Sequence, residues 1–221
     1  MRTLDDLLPQ VKSGERILLR ADLNVPLTEE AGRRTVSDDN RIQAVLPTIA
    51  RLREHGASIV LCSHLGRPSG VDPVFSLQPV AKYLTEALEI EVPLAAGRPA
   101  DAAAAANALA PGAVLLLENL RFHPEEKKNE PEFARELASL AHHFVNDAFG
   151  ACHRAHSSIV GVAEHHSAHA GLLVQRELEV LTEIRDQPKR PFWVILGGSK
   201  TSDKLEVVKQ LQDRVDGFVV G

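Results

Sequence analysis

The sequence predicts an α/β fold in which helices cover both faces of a mostly parallel sheet. Short apolar runs, which are typical of buried strands, alternate with longer stretches whose apolar residues recur at spacings of three and four. Strands that alternate with helices indicate βαβ units, and these units build parallel sheets. The expected architecture is therefore three layers, with helices above and below one sheet.

Four apolar runs predict the strands of this sheet, at residues 16–21, 58–62, 114–117 and 143–147. Helices are predicted from an N-cap at residues 37–39 to about residue 55, and at 78–88, 101–109 and 130–141. The polar stretch 27–35 predicts a loop. Together these elements predict a Rossmann-like domain.

A second series of elements begins after a long amphipathic helix predicted at 172–184. Pro188 and Pro191 follow this helix, and then come a strand at 192–196, a helix at 202–211 and a strand at 217–220. We expect residues 1–170 to form an N-terminal domain and residues 171–188 a hinge helix. We expect residues 189–221 to be the truncated start of a second α/β domain, because a unit of that size cannot bury a core alone.

Composition narrows the class of protein. The 221 residues are 44% hydrophobic and 25% charged, as in ordinary globular proteins, and the net charge of −5 argues against nucleic acid as a partner. The polar first residues do not resemble a signal peptide, and no apolar run is long enough for a membrane span. Only Cys62 and Cys152 are present. We therefore expect a reduced, cytoplasmic protein without a membrane partner.

Charged and amide side chains recur just beyond the carboxyl ends of the predicted strands. In chain order these residues are Asp22 and Asn24, His64 and Arg67, Arg121, and Arg154. The carboxyl edge of an open parallel sheet is where such folds bind ligands. Guanidinium groups pair bidentately with phosphate and carboxylate, so several arginines at this edge predict a ligand with more than one negative charge.

Each of these residues also has an ordinary explanation. Asp22 and Asn24 follow a strand, where both residue types commonly make turns. Arg41 lies in the first turn of a predicted helix, where the helix dipole disfavours a cation. That position suggests a bound anion nearby, although a single surface arginine is more often simply solvated.

A glycine-containing turn, Gly197-Gly198-Ser199-Lys200, follows a predicted strand and opens a predicted helix. Backbone amides at a helix N-terminus attract phosphate, so this turn is a candidate phosphate cradle. It departs from the P-loop pattern, because Val194 and Ser199 stand where that pattern requires glycine. A tight turn with surface lysines would have the same sequence.

Two further clusters suggest other chemistry more weakly. His165, His166 and His169 have spacings that metal ligands can share on a helix face, but histidine-rich polar stretches are mostly solvated. Cys152 next to His153 could suggest a thiol nucleophile, although such pairs are normally close in space rather than adjacent in the chain.

Taken in order, the segments resemble the phosphoglycerate kinase family over the whole chain. The matching strings are RADLNVP, DDNRI, SHLGRP, LLENLRF, VNDAFGACHRAHSS, GLLVQREL and VILGGSKTSDKL. The departures are Cys62, where the family often has Met or Ala, and Ala151-Cys152, where it usually has Thr-Ala. Neither departure changes a charged substrate position.

The resemblance implies a binding site for 3-phosphoglycerate or 1,3-bisphosphoglycerate at Asp22, Leu23, Asn24, Arg41, His64, Leu65, Gly66, Arg67, Arg121 and Arg154. It implies a nucleotide site that begins at Gly197, Gly198, Lys200 and Lys204, with Arg41 and Lys204 as catalytic residues. The implied co-substrate is Mg-ATP or Mg-ADP, most of whose site would lie beyond residue 221. The resemblance implies no tightly bound cofactor, and it assigns no metal ligand among residues 1–221.

The implied activity is reversible phosphoryl transfer between ATP and 3-phosphoglycerate in glycolysis, giving 1,3-bisphosphoglycerate and ADP. The chain is expected to bind the acid but to be inactive alone, and the full-length protein is expected to be a monomer. A non-catalytic module that captures a phosphoacid is the alternative, and it predicts binding without any second domain. A metal-dependent hydrolase built on the three histidines is a further alternative.

Overall fold

A computed structural model of the chain describes residues 1–30, 32–197 and 201–221, the last range without the side chains of residues 201–204. Two compact units are present, Met1–Gln175 and Arg176–Gly221. The assignment of residues 171–188 to a hinge stays a prediction.

The strands of the first unit are β1 (Arg16–Ala21), β2 (Leu27–Glu30), β3 (Arg33–Val36), β4 (Ser58–Cys62), β5 (Leu94–Ala95), β6 (Val114–Leu117), β7 (His143–Asp147) and β8 (Ala168–Ala170). Its helices are α1 (Leu4–Leu7), α2 (Asn40–Glu54), α3 (Gln78–Leu88), α4 (Ala103–Asn107), α5 (Pro124–Lys128) and α6 (Pro131–Ser139), and α7 (Leu172–Asp186) begins in it. Short 3-10 turns connect several of these elements.

Six strands form the central sheet, in the order β5-β6-β4-β1-β7-β8. Every neighbouring pair in this sheet is parallel. Arg20 of β1 is in register with Cys62 of β4 on one side and with Asn146 of β7 on the other. The carboxyl ends of the central strands therefore meet at one edge, and the predicted α/β fold is confirmed.

Alternate side chains of β1 enter two separate hydrophobic cores. Ile17 and Leu19 pack in a cluster that contains the buried face of α2, including Ile42 and Ile49. Leu18 belongs to a second cluster with residues of α6. Side chains alternate across a strand, so the continuous apolar run of β1 is explained by burial on both faces of the sheet.

The stretch 27–35 is not the loop that its polarity predicts. β2 and β3 form an antiparallel hairpin, with Leu27 opposite Val36 and Glu30 opposite Arg33. This hairpin is a two-stranded sheet apart from the central sheet, and most of its residues are exposed or half-buried. The apolar alternation that marks a half-buried strand is therefore missing from its sequence.

The second unit contains the last part of α7, β9 (Trp193–Leu196), α8 (Thr201–Leu211) and β10 (Gly217–Val220). β9 and β10 pair in parallel as a two-stranded sheet. No helix among the described residues combines the length and apolar character needed to cross a membrane.

Candidate anion-binding site

A cleft of about 530 Å³ lies among the loops that follow the central strands. Its walls come from six parts of the chain: the turns after β1, β4, β6 and β7, the start of α2, and α5. The lining residues are Asp22, Asn24, Arg41, His64, Gly66, Arg67, Arg121, Lys127, Gly150, Ala151, His153, Arg154 and His156. The carboxyl edge of the sheet thus brings together five cationic side chains, those of Arg41, Arg67, Arg121, Lys127 and Arg154.

Most residues predicted for the acid site line this one cleft. They are Asp22, Asn24, Arg41, His64, Gly66, Arg67, Arg121 and Arg154. Leu23 and Leu65 are buried in the first hydrophobic cluster and do not line the cleft. Gly197 is described at the end of β9, whereas Gly198, Lys200 and the side chain of Lys204 lie outside the described residues.

Two asparagines fix the loops that frame the cleft. The side-chain oxygen of Asn24 accepts the backbone N–H of Gly66 over 2.7 Å, which joins the turns after β1 and β4. Asn119 is fully buried, and its amide donates to the carbonyl of Leu65 over 2.8 Å and accepts the N–H of Leu65 over 3.1 Å. Hydrogen bonds from buried side chains to the backbone therefore hold these loops in one conformation.

Gly66 occupies a position where a side chain would not fit. Its φ of +63° is in the left-handed region, and a Cβ built there would lie 2.3 Å from the Phe75 ring. Glycine reaches this conformation without steric cost and lets the backbone approach a ligand. The Gly66 carbonyl in turn accepts the Arg121 guanidinium over 2.7 Å.

Arg41 and Asp22 form the ion pair of the cleft, at 2.5 Å. The Asp22 side chain is 13% exposed, whereas that of Arg41 is 51% exposed and keeps donors free for another acceptor. Gly150 lies close by, since a Cβ there would be 2.9 Å from the Asp22 carboxylate.

Within the described residues, the other arginines and the lysine of the cleft have no carboxylate partner. Among the described residues, Arg67, Lys127 and Arg154 have no carboxylate within ion-pair distance, and Arg67 and Arg154 are exposed. Arg121 donates a hydrogen bond to the Gly66 carbonyl, and its buried Nε has no partner in the described part of the chain. Burial and, next, the charge of Arg20 lower the pKa of Arg121. This excess of positive charge favours a polyanion.

His64 contributes a neutral donor to the same cleft. Burial, followed by the charge of Arg20, lowers the pKa of His64 to about 2. Its Nδ1 contacts the Arg20 guanidinium at 2.9 Å. An imidazole held neutral in this way can donate only one hydrogen bond, from the ring nitrogen that carries the proton.

Five lining residues were absent from the predicted site: Lys127, Gly150, Ala151, His153 and His156. Gly150, Ala151, His153 and His156 flank Arg154, so their position beside a predicted site residue was the available signal. Lys127 lies in the run Glu125-Glu126-Lys127-Lys128, which has the composition of a solvated surface helix. Nothing in that run distinguishes Lys127 from its neighbour.

The weaker sequence hypotheses find no support in the geometry. No group of three or more metal-ligating side chains occurs in the part of the chain that the structure describes. His166 bonds the Ala138 carbonyl at 2.9 Å, and His169 is a buried residue of β8. Burial raises the pKa of the Cys152 thiol, which disfavours a thiolate nucleophile.

The fold and the cleft define an α/β protein with a cationic site at the carboxyl edge of a parallel sheet. The family model for phosphoglycerate kinase matches residues 5–221. The chain therefore belongs to the phosphoglycerate kinase family, and the resemblance predicted from its motifs is confirmed.

Curated relatives and solved structures agree with this assignment. A phosphoglycerate kinase of Moorella thermoacetica is 53% identical over 95% of this chain and 53% of its own length. A cytosolic phosphoglycerate kinase of Nicotiana tabacum is 49% identical over 94% of this chain and 52% of its own length.

Among solved structures, the phosphoglycerate kinase of Coxiella burnetii has a TM-score of 0.83 at 38% identity, covering 95% of this chain and 52% of its own. That of Pyrococcus horikoshii has a TM-score of 0.84 at 33% identity, covering 100% of this chain and 55% of its own. The chain spans about half the length of the relatives that it matches.

Proposed function

We propose that this chain binds 3-phosphoglycerate in the cationic cleft and belongs to an enzyme that transfers a phosphoryl group between ATP and the carboxylate of that acid. Transfer from ATP to the acid gives 1,3-bisphosphoglycerate and ADP. The observation that carries the proposal is the set of cleft cations that have no carboxylate partner among the residues that the structure describes. A ligand with a phosphate and a carboxylate supplies the missing negative charge, and membership of the family supplies the substrate class.

The remote phosphate of the acid is assigned to the cleft arginines for which the described part of the chain supplies no carboxylate partner. Arg67, Arg121 and Arg154 would bind it with their guanidinium forks, and His64 would donate from its protonated ring nitrogen. Arg121 suits this role because its hydrogen bond to the Gly66 carbonyl fixes the side chain, while its Nε has no partner among the described residues. These contacts hold a part of the substrate that does not react.

The reacting end of the acid is assigned to the Asp22–Arg41 pair. Asp22 and Asn24 would orient the hydroxyl, and Arg41 would contact the carboxylate and the charge that develops during transfer. Asp22 keeps the guanidinium of Arg41 in place at 2.5 Å, so little reorganisation is needed when the substrate binds. Phosphoryl transfer requires mainly such positioning and charge neutralisation, with little covalent chemistry from the protein.

The nucleotide side of the reaction is assigned to the Gly197–Lys204 segment, with Lys204 near the transferred group. Mg-ATP enters as a substrate, and the wider enzyme would bring the two substrates together by domain closure, which also excludes water. A cytoplasmic location and a monomeric state belong to the same proposal, in keeping with the cytosolic relative from Nicotiana tabacum.

Calorimetric titration of the 221-residue chain with 3-phosphoglycerate tests the proposal. We expect saturable binding that weakens as salt is added, because ions screen exposed charge pairs. Glycerate, which lacks the phosphate, should bind far more weakly. We expect no turnover by these residues assayed alone, since the family's nucleotide site is matched here only by the Gly197–Lys204 segment.

A matched pair of variants makes the titration specific for the cleft. Arg67→Ala removes a cleft cation, whereas Arg135→Ala removes an exposed arginine that pairs with Glu132 on α6. Only Arg67→Ala should weaken binding. Absence of saturable binding at millimolar acid, or equal loss in both variants, would overturn the proposed function.

A further inference from the structure

Beneath the cleft lies a charged network that the proposed chemistry does not use. Arg20, at the end of β1, is 1% exposed, and Glu126 of α5 is also 1% exposed. Neither side chain lines the cleft. Charged groups are rarely buried this completely without a specific arrangement of partners, because each loses its hydration.

Each of the three nitrogens of the Arg20 guanidinium has at least one hydrogen-bond partner. Its Nε donates to the Ser158 hydroxyl over 2.9 Å, and its Nη2 contacts Nδ1 of His64 at 2.9 Å. Nη1 donates to the carbonyl of Ala21 and, over 3.4 Å, to the Ser63 hydroxyl.

The negative charge that balances Arg20 is the Glu126 carboxylate, and the Ser158 hydroxyl links the two side chains. Ser158 donates from its hydroxyl to Glu126 Oε1 over 2.6 Å and from its backbone N–H to Oε2 over 3.0 Å. The hydroxyl oxygen that accepts from Arg20 is therefore the one that donates to Glu126. A continuous chain of hydrogen bonds runs from the Glu126 carboxylate through Ser158 and Arg20 to the His64 ring.

The direction of the last bond follows from the chemistry of arginine. A guanidinium only donates, so Nδ1 of His64 must accept and cannot carry a proton. The neutral ring then carries its single proton on Nε2. In the part of the chain that the structure describes, Nε2 has no hydrogen-bond partner, and the residue lines the cleft.

We propose that Arg20, Ser158 and Glu126 form a positioning network that holds His64 as the neutral tautomer with its proton on Nε2, available to the anion in the cleft. The identity of that anion rests on the proposed function. The low pKa of His64 agrees with the arrangement, since Arg20 contributes to it after burial. Arg20 and Glu126 act through His64 and do not themselves touch the ligand.

The network also explains why a buried acid occurs in a run of charged residues. Without Glu126, the Arg20 charge would be buried with neutral acceptors alone, and an uncompensated buried charge is strongly destabilising. Placing the carboxylate one hydroxyl away compensates that charge and leaves the Nη2 donor for His64. A direct ion pair between the two would occupy the guanidinium fork and release the ring.

Nitrogen-15 NMR of the histidine rings tests the tautomer without any ligand. The His64 signals are assigned by their loss in His64→Gln. We expect Nδ1 in the unprotonated range and Nε2 in the protonated range, unchanged between about pH 5 and about pH 8, a span over which an unperturbed histidine titrates. A proton on Nδ1, or a titrating ring, would overturn the proposal.

Variants then test which residues impose the tautomer. Arg20→Lys keeps the positive charge but loses the planar set of guanidinium donors. We expect the two tautomers of His64 to exchange in this variant, so that the two ring-nitrogen shifts become averaged. Binding of 3-phosphoglycerate should weaken roughly tenfold, the value of one charge-assisted hydrogen bond. Glu126→Gln should change the same shifts in the same direction, and it decides the question if Arg20→Lys does not fold. Arg16→Lys is the matched control, because Arg16 lies at the other end of β1 and donates to the Leu140 carbonyl over 2.8 Å.

The outcomes separate this proposal from the proposed function. Unaltered His64 shifts in folded Arg20→Lys or Glu126→Gln would overturn the network, whatever the affinity. The same change of His64 shifts in Arg16→Lys would also overturn it, as a general effect of altering the strand. The expected tautomer together with no binding of 3-phosphoglycerate would support the network and overturn the proposed function.

Discussion

The carboxylate of Asp147 accepts the backbone N–H of Leu173 over 2.9 Å and that of Val174 over 3.2 Å, so the last residue of β7 caps the first turn of α7. The Thr48 hydroxyl of α2 accepts the N–H of Leu172 over 3.0 Å in the same turn. Gly171 lies against this cap, since a Cβ there would be 2.3 Å from the Asp147 side chain. Three elements of the first unit are joined at the start of α7.

Removing this cap should destabilise the first unit. We expect Asp147→Ala to lower the free energy of unfolding by about 1–3 kcal/mol, because one buried and one partly buried N–H group lose their acceptor. Asp147→Asn is the matched control, since it keeps an oxygen acceptor and removes a carboxyl whose pKa burial raises. Asp147→Asn should lower the free energy of unfolding clearly less than Asp147→Ala at neutral pH. Urea unfolding measures both, and equal losses would show that the charge, not the cap, matters.

Gly66→Ala should damage the cleft far more than its size suggests. The new Cβ would meet the Phe75 ring at 2.3 Å at a φ of +63°. Gly32→Ala is the matched control, because Gly32 has a φ of +73° but nothing within 4 Å of a Cβ. We expect both to lose about 1 kcal/mol of stability from backbone strain. Only Gly66→Ala should also weaken 3-phosphoglycerate binding in calorimetry, and unchanged affinity would contradict the assigned close approach.

Lys127 and Lys128 are adjacent in α5, but only Lys127 lines the cleft. We expect Lys127→Met to weaken 3-phosphoglycerate binding and to reduce its dependence on salt, because one screened charge is removed. Lys128→Met makes the same chemical change outside the cleft and should have little effect. Titrations at two salt concentrations make the comparison, and similar effects of both variants would remove Lys127 from the site.

The sequence predicts those helices and strands whose packing against the rest of the fold requires a recognisable pattern of apolar residues. Burial on both faces makes β1 and β4 continuous apolar runs, and one buried face gives α2 its helical spacing. The β2–β3 hairpin lacks such an apolar pattern because it lies outside the central sheet. β8 has three residues, which is too short for any pattern.

The site residues that were predicted also differ from those that were not in whether a local sequence pattern indicates their position. Arg67 and Arg154 follow strands, so parallel topology alone brings them to one edge of the sheet. Lys127 and Glu126 are consecutive, yet one lines the cleft and the other is buried beneath it. That difference depends on how α5 packs, through Ser158, against residues far along the chain. No local pattern contains this information.

The neutral state of His64 predicts the pH dependence of stability. Its folded pKa of about 2 lies below the unfolded value of about 6.5, so the unfolded chain binds a proton that the folded chain does not. The contribution of His64 is therefore complete above about pH 6.5 and is lost as the pH falls toward 2. Unfolding free energies at about pH 8 and about pH 5 should differ more in the unmodified chain than in His64→Gln. Equal differences would contradict the buried neutral ring.

The second unit should be the least stable part of this 221-residue chain. In its described portion no apolar side chain is fully buried, and Trp193, Ile195 and Val220 are 56%, 79% and 71% exposed. Full burial of one large apolar side chain contributes about 1.5–3 kcal/mol, whereas ordering one residue costs about 1–2 kcal/mol in backbone entropy. With so little burial, the contributions of β9, α8 and β10 should not exceed the cost of ordering them.

Amide hydrogen exchange measures this difference directly. Residues 192–220 should exchange far faster than β1 and β4, whose backbone pairs on both sides and whose apolar side chains are almost completely excluded from solvent. β9 and β10 are the strands to compare with β1 and β4. In the described structure each pairs only with the other, so each has one unpaired edge. Such edges invite pairing between chains, so exchange should be measured at several protein concentrations. Protection of β9 equal to that of β1 at the lowest concentration would mean that the second unit is stabilised within a single chain, and the predicted domain boundary near residue 189 would then be wrong.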